Sequence, residues 1–508
     1  MFDSDHTFTS PLTGTPYAGP PVLALTVLWH PDPARVGQQY LQPESHGAME
    51  VSRFFPLFAH PGSDGLGLGH GSVSRQPLRL ARETGGRLSV TPPDSRMTVE
   101  VNGVEIAGPA MLEPAQLDSG VVVGLGRAIL LCLHWTERLP RDNPVAGLLG
   151  VSAAAIQVRE LIRTVAPTEL PVLLLGETGT GKEVAARAIH ALGGRAHHPL
   201  VAVNMAVMNE GLAAAELFGT ARGAYTGAQS ARTGLFAEAD GATLFLDEIG
   251  NTPAAVQPML LRVLESGQYR VVGGDTDRRS SARVIAATDQ DLSHQDFNQA
   301  LLRRLERFVI TLPPLRARRE DIGVLLVHAL EQAGAGGAQL PVLPFAFVSA
   351  CANYDWPGNV RQLSHVMARA LLLAQAGQLP LFEALVGGRH AARPAAGPAP
   401  ATPASTAAAP ARRRALDEFS DEEVVAALHN NGWQVQGAAA ELGISRPSMY
   451  KLIEAHPAIR RPEAIGLAEL TSGWEQSGAD LERCAALLLT PAEALRRHLR
   501  GLGLPGQA

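Results

Sequence analysis

The sequence predicts a multidomain chain with an N-terminal all-β sandwich, a central parallel α/β domain followed by helices, and an all-α C-terminal end. Three observations predict it. Short apolar runs broken by Gly, Pro and Asp fill residues 22–135, the rhythm of a sandwich. From about residue 140, helical patterns alternate with apolar runs, as in a parallel α/β sheet. After an Ala/Pro-rich stretch at 391–411, two small helical units follow.

Taken in order, residues 1–20 are polar and rich in Pro, Gly and Thr, a composition that favours disorder. The sandwich, 22–135, has strand patterns at 22–29, 78–81, 88–90, 99–101 and 121–135. A helix pattern at 152–165 opens the next domain, and apolar runs at 172–175, 200–203, 243–246 and 284–287 supply its strands. Helix-like segments continue to 387. The linker, 388–415, is semi-rigid by composition and ends in the basic run 412–414. The helical units span 416–455 and 464–503 and are weak repeats, AAELGIS (439–445) answering CAALLLT (484–490).

Composition sets the outer limits. The 508 residues suit about three domains of ~150 residues. A net charge of −6 argues against bulk attachment to nucleic acid or an anionic membrane, so any DNA contact must come from a local patch. Cys132, Cys351 and Cys484 are too scattered for a zinc cluster or a disulfide framework. With no signal-peptide pattern and no apolar run of the ~20 residues a span requires, a cytoplasmic protein with no membrane partner is expected.

The chemistry concentrates in two places. Gly176, Glu177, Thr178, Gly179, Thr180, Gly181 and Lys182 lie between a strand and a helix, the setting of a phosphate-binding loop. Its amides curl round phosphates, the helix N-terminus adds positive potential, and Lys182 reaches the β/γ-phosphates, so ATP is the expected ligand. Glu183 stands where Ser or Thr usually ligates Mg²⁺. In GATLFLDEIG (241–250) an apolar strand ends in two acids, Asp247 to hold Mg²⁺ through water and Glu248 to polarise the attacking water.

With these motifs, residues 145–387 resemble the AAA+ domain of the sigma-54-dependent activators, the bacterial enhancer-binding proteins. GETGTGKE (176–183) is that family's Walker A form and accounts for Glu183. ELFG (216–219) followed by Gly223, Ala224, Tyr225, Thr226, Gly227 and Ala228 resembles the loop that engages sigma-54, with Tyr225 replacing the usual Phe. The resemblance implies an α/β P-loop domain with a helical lid and an ATPase working as a ring of copies, often hexameric, that opens promoters held by sigma-54 RNA polymerase. It gives Asn204 the restraint of the catalytic Glu. Thr288 with Asp289 matches sensor I, where Asn is commoner than Asp289, and Arg361 in WPGNVRQL (356–363) matches sensor II. Arg304 takes the second arginine-finger position, with Arg303 beside it, whereas the first finger position holds Asn298.

Residues 427–455 resemble a Fis-type helix-turn-helix, which places Ser445, Arg446, Ser448, Tyr450 and Lys451 toward enhancer DNA. The 464–503 unit, with Arg496, Arg497 and Arg500, reads equally as a second reader or a dimerisation cap. Residues 22–135 resemble a forkhead-associated domain through Ser52-Arg53, Ser74-Arg75, Ser95 and Asn102-Gly103, which implies binding of a phosphothreonine-containing protein, although Pro77 stands at a structural His position. Two alternatives stay open: a AAA+ remodeller of another protein or nucleic-acid target, and a DNA-binding regulator that has lost ATPase activity.

Overall fold

The computed structural model describes residues 21–43, 47–137, 140–209, 211–224, 230–293, 297–334 and 343–386, and most of 420–501. The chain divides into two compact units, 1–399 and 400–508.

The N-terminal β-rich region is two antiparallel sheets. The larger has the order β2-β1-β10-β9-β6-β7, from β1 (Val22–Trp29), β2 (Gln39–Leu41), β6 (Val99–Val101), β7 (Val104–Glu105), β9 (Val121–Leu125) and β10 (Ile129–Thr136). The smaller has the order β3-β4-β5-β8, from β3 (Ala48–Val51), β4 (Leu78–Arg82), β5 (Leu88–Thr91) and β8 (Ala110–Leu112). A short helix, α1 (Pro114–Asp118), precedes β9. Leu23, Leu25, Leu131 and Leu133 of one sheet and Met49, Val51, Leu78 and Leu80 of the other fill the space between them. The apolar run 121–135 is a hairpin and not one strand, because Gly126 and Arg127 both take positive φ, at 59° and 50°, the turn that joins twisted strands with two residues.

The central domain is a parallel five-stranded sheet of order β12-β13-β16-β11-β17. Its strands are β11 (Val172–Leu175), β12 (Leu200–Asn204), β13 (Thr243–Asp247), β16 (Arg283–Thr288) and β17 (Val309–Thr311). A hairpin of β14 (Gln268–Arg270) and β15 (Asp277–Arg279) stands apart from it. Both faces are covered, as parallel sheets require. Val172 and Leu174 pack with α2 (Ala153–Val165) and α3 (Lys182–Ala191). Leu173, between them, faces the other way, into the core that holds α4 (Ala213–Phe218), α5 (Leu235–Glu238), α6 (Gln257–Ser266) and α7 (Gln299–Leu305). The lid follows as α8 (Ile322–Gly334), α9 (Phe345–Asn353), α10 (Asn359–Gln375) and α11 (Phe382–Val386), centred on Trp356, whose Nε1 donates to the Cys351 carbonyl at 2.9 Å.

The C-terminal unit is helical, with Asp421–Asn430 and Val435–Glu441 in its first half and Leu467–Gln476, Leu481–Leu487 and Ala492–Gly501 in its second. The sequence suggests two successive modules, yet the halves close on one core. Trp433, Met449 and Ile453 are buried with Cys484, Leu488 and Leu495, and the Ala492 amide donates to the Trp433 carbonyl at 3.0 Å.

Candidate nucleotide site

The site lies at the C-terminal ends of the parallel strands, where β11 runs into the phosphate loop and β13 ends in its two acids. Lys182 is the first residue of α3 and is buried, its Nζ donating to the Gly176 carbonyl at 2.7 Å. Gly179 takes φ +81°, and a Cβ there would collide with the Gly358 carbonyl oxygen, so the loop fits tightly under the start of α10. Gly176 and Gly181 also take positive φ. The Arg361 amide donates to the Gly179 carbonyl at 3.3 Å, which brings the start of α10 onto the loop. Thr180 is buried and its hydroxyl donates to the Glu177 carbonyl at 2.8 Å, while Glu183 is exposed and paired with Arg187 at 2.7 Å.

The acids are held apart from one another in distinct ways. Asp247 closes β13, and burial raises its pKa; the Glu248 amide, with Lys182 and Arg361, opposes that rise. Glu248 has a left-handed φ of 53°, a conformation stored at functional sites, and burial, with the Asp289 carboxylate as the next cause, raises its pKa. Asp289 accepts from the Thr178 hydroxyl at 2.7 Å, and that bond is the main reason its pKa is lowered. Thr288 is fully buried, its hydroxyl oxygen accepting from the Gln290 amide at 3.0 Å. Asn204 closes β12 beside these acids. Its register partner is Asp247, and its Nδ2 donates to Asp247 Oδ2 at 3.4 Å.

Nothing in the sequence singles out three further groups. Arg316 makes a two-pronged ion pair with Glu177 that includes a 2.8 Å bond, Asn359 donates to the Thr178 carbonyl at 3.1 Å, and Arg318 donates to the Thr180 carbonyl at 3.2 Å. A cavity of about 650 Å³ lies between α8 and α10, with Gly147, Leu149, Leu325, Ala329 and Val360 in its lining. Its walls are mainly apolar, with His328, Gln332 and Ser364 among the polar members.

Asn298 caps α7: its Oδ1 accepts from the Ala300 and Leu301 amides at 3.0 and 3.1 Å. Arg304 pairs with Glu265 of the same chain at 2.9 Å, and Arg303 is exposed. On either side of the aromatic-Thr segment, Thr220 and Arg232 exchange backbone bonds of 2.9 and 3.0 Å, and Phe218 stacks on Phe236 nearby. Gly223 and Ala224 are described at its base, whereas Tyr225, Thr226, Gly227 and Ala228 lie outside the described residues. So do Ser445, Arg446, Ser448, Tyr450 and Lys451.

In the sandwich, Arg53 is turned inward, donating to the Val73 and Gly71 carbonyls at 3.0 and 2.6 Å, and so shapes the loop that carries Ser74 and exposed Arg75. Asn102 does not join this group. It forms the β6–β7 turn with Gly103, both at positive φ, and its Oδ1 accepts from the Val122 amide at 3.0 Å. The Ser72 carbonyl lies against Gly126, just past the other end of β9, about 13 Å from Val122 along a strand rising ~3.3 Å per residue. The group that does reach Ser74 is Met97, whose sulfur accepts the Ser74 amide at 3.2 Å.

Residues 148–311 match the Sigma-54 interaction domain and residues 316–391 the AAA+ ATPase lid domain. The anaerobic nitric oxide reductase transcription regulator NorR of Enterobacter sp. (strain 638) is 38% identical over 346 residues, 65% of this chain and 68% of that protein. The DNA-binding transcriptional regulator NtrC of Rhizobium meliloti is 41% identical over 267 residues, 51% of this chain and 55% of that protein. The formate hydrogenlyase transcriptional activator FhlA of Escherichia coli is 42% identical over 255 residues, 49% of this chain and only 37% of its own length. A phosphate loop faced by Asp247 and Glu248, inside these two matched domains and beside a relative shared over two thirds of its length, makes the chain a member of the sigma-54-dependent transcriptional activators.

Proposed function

We propose that the chain hydrolyses ATP with Mg²⁺ in an oligomeric ring, often hexameric in this family, and uses the stroke to remodel sigma-54 RNA polymerase at promoters. The observation that carries this is the convergence of Lys182, Asp247 and Glu248 at one strand edge, with Asp289 tied to the loop through Thr178. Asp247, with phosphate oxygens, suits Mg²⁺, which is commonly held by one or two carboxylates plus substrate phosphates; the ion would neutralise developing charge. Lys182 and the loop amides bind the phosphates, Glu248 orients the attacking water and takes its proton, and Arg361 closes the site from the lid. Arg304 of a neighbouring copy supplies the finger, and Tyr225 and Thr226 carry movement to sigma-54. Full-chain ATP turnover tests the motor: Asp247→Ala should fall to background, and an unaltered chain no faster than that variant would leave a DNA-binding regulator without ATPase. Asn298 and the Arg304–Glu265 pair favour that second reading. Trapping with an ATP transition-state analogue tests the partner, since Thr226→Ala should abolish the sigma-54 complex. A complex that survives it points to a remodeller of another target.

The C-terminal unit contacts enhancer DNA through Ser445, Arg446, Ser448, Tyr450 and Lys451, and the sandwich receives a phosphothreonine-containing protein. Ser74 and Arg75 clasp the phosphate on a loop that Arg53 holds in shape. Calorimetry with a phosphothreonine peptide should show binding lost in both Arg75→Ala and Arg53→Ala; unchanged affinity in both would leave a sandwich without that ligand. The protein acts in the cytoplasm.

A further inference from the structure

The larger sheet of the sandwich is covered on its outer face by the lid. Leu28, Leu130 and Cys132 share one buried core with Ile322, Leu326 and Cys351. The approach is closest at Gly323 on α8, where a Cβ would collide with the Leu28 backbone carbonyl. Beside this apolar contact, the Thr26 hydroxyl oxygen accepts from Gln39 Nε2 at 2.9 Å and lies 2.9 Å from His134 Nε2, and His134 Nδ1 faces Glu320 Oε1 at 3.9 Å.

Glu320 belongs to residues 315–321, the connection between the parallel sheet and the lid. The same segment holds the phosphate loop through Arg316 and Arg318, and the lid through Arg319, which donates to the Ala352 and Tyr354 carbonyls at 3.2 Å each. Asp321 anchors the opposite side, accepting from the Val151 and Ser152 amides at 2.6 and 2.7 Å ahead of α2. The sandwich touches both sides of this connection at one point: a Cβ on Gly37 would lie 2.8 Å from Val324 and 3.2 Å from Val151. Domain closure around a ligand turns on a few element-terminal residues. A body in contact with both sides of such a hinge opposes its rotation, because opening must break one contact or the other.

We infer that the docked sandwich is a brace on the nucleotide cycle, holding the 315–323 hinge and the lid closed over the phosphate loop and so slowing nucleotide release until it is displaced. This rests on the ATP-site reading above and adds the element that gates it. Linkage makes the effect reciprocal, so nucleotide must in turn stabilise docking. Hydrogen exchange on the full unaltered chain, with and without saturating ADP, reads this directly. Amides of β1, β10 and α8 should exchange at least about fivefold more slowly with ADP, in the ordinary range of coupling between two sites. If residues 176–182 gain protection while β1, β10 and α8 exchange as before, the brace is refuted and the ATP site stands. If residues 176–182 gain none, the ATP-site reading fails and the brace with it. In a second arm, Gly323→Ala lifts the sandwich without touching a nucleotide contact. Fluorescent ADP should then leave at least about fivefold faster. Unchanged release from a folded variant whose β1 and α8 amides have lost protection would overturn the proposal, and the exchange arm decides alone should that variant not fold.

Discussion

Glu177 sits inside the phosphate loop with its carboxylate bonded to Arg316 and Asn359, and those bonds lower its pKa from the ordinary 4.5 to about 2. A carboxylate depressed in the folded state contributes stability that is full above its unfolded pKa and is lost as pH falls through its folded pKa. The window here is therefore about pH 4.5 down to about 2. In Arg316→Gln the Glu177 carboxylate should return toward its ordinary value. The variant should be less stable at pH 7, and the gap should close as pH falls through that window, as read from urea midpoints at pH 7, 4.5 and 3. The effect is modest because both side chains are over two-fifths exposed, at 44% and 42%. Such pairs also mark what a sequence hides. Lys182, Asp247 and Glu248 are legible because each sits in a contiguous motif with a fixed position on a strand or helix end. Arg316 meets Glu177 across 139 residues and Asp289 meets Thr178 across 111, and no local pattern encodes either meeting.

Among the elements, α7 shows how one substitution changes a role. Where the family resemblance places an arginine, Asn298 satisfies two amides at the helix start, and its own amide donates to buried Gln257 at 2.7 Å. Asn298→Ala should lower stability by about 1 kcal/mol, the usual worth of an N-cap, as a fall in thermal midpoint. Asn298→Arg should lose the same cap, so any gain in turnover would come with a lower midpoint. In the lid, Trp356 is fully buried and packs edge-on against Tyr354 and Phe382, at ring distances of 5.2 and 5.9 Å. Trp356→Ala should cost about 3–5 kcal/mol, seen in denaturant unfolding. Strand patterns are readable in the longer apolar runs such as β1 and β4, whereas β2, β7 and β8, at two or three residues, are too short to show an alternation. Asn102-Gly103 reads in sequence as part of the phosphopeptide loops, and its place in the β6–β7 turn, away from Ser74, follows from sheet order, which local sequence does not state.

At the scale of the whole molecule, the β-rich region ends with β10 at Thr136 and the first helix of the α/β region starts at Ala153, while their docking is signalled only faintly in sequence. The signal was the near-continuous apolarity of VLALTVLW and ILLCLHWT, where the interior positions of both strands are buried apart from Trp135. An antiparallel sheet with one wet face alternates; strands apolar throughout are covered on both sides. The C-terminal unit offers the matching case. Its halves repeat in sequence, but Trp433 in the first half and Leu488 and Leu495 in the second lie in one core. Trp433→Ala should therefore expose amides of both halves together in hydrogen exchange, and loss of protection confined to 421–453 would contradict a shared core.

The apolar lid face bears on how the regulatory sign of the sandwich can be learned. Cutting the chain near residue 140, the ordinary way to ask whether an N-terminal domain represses or activates, would strip Ile322, Leu326 and Cys351 of their cover and leave a greasy surface in water. Such a fragment would self-associate, and its altered turnover would mix lost regulation with poor solubility. Point changes at the seam, made in the intact polypeptide, keep those two causes apart.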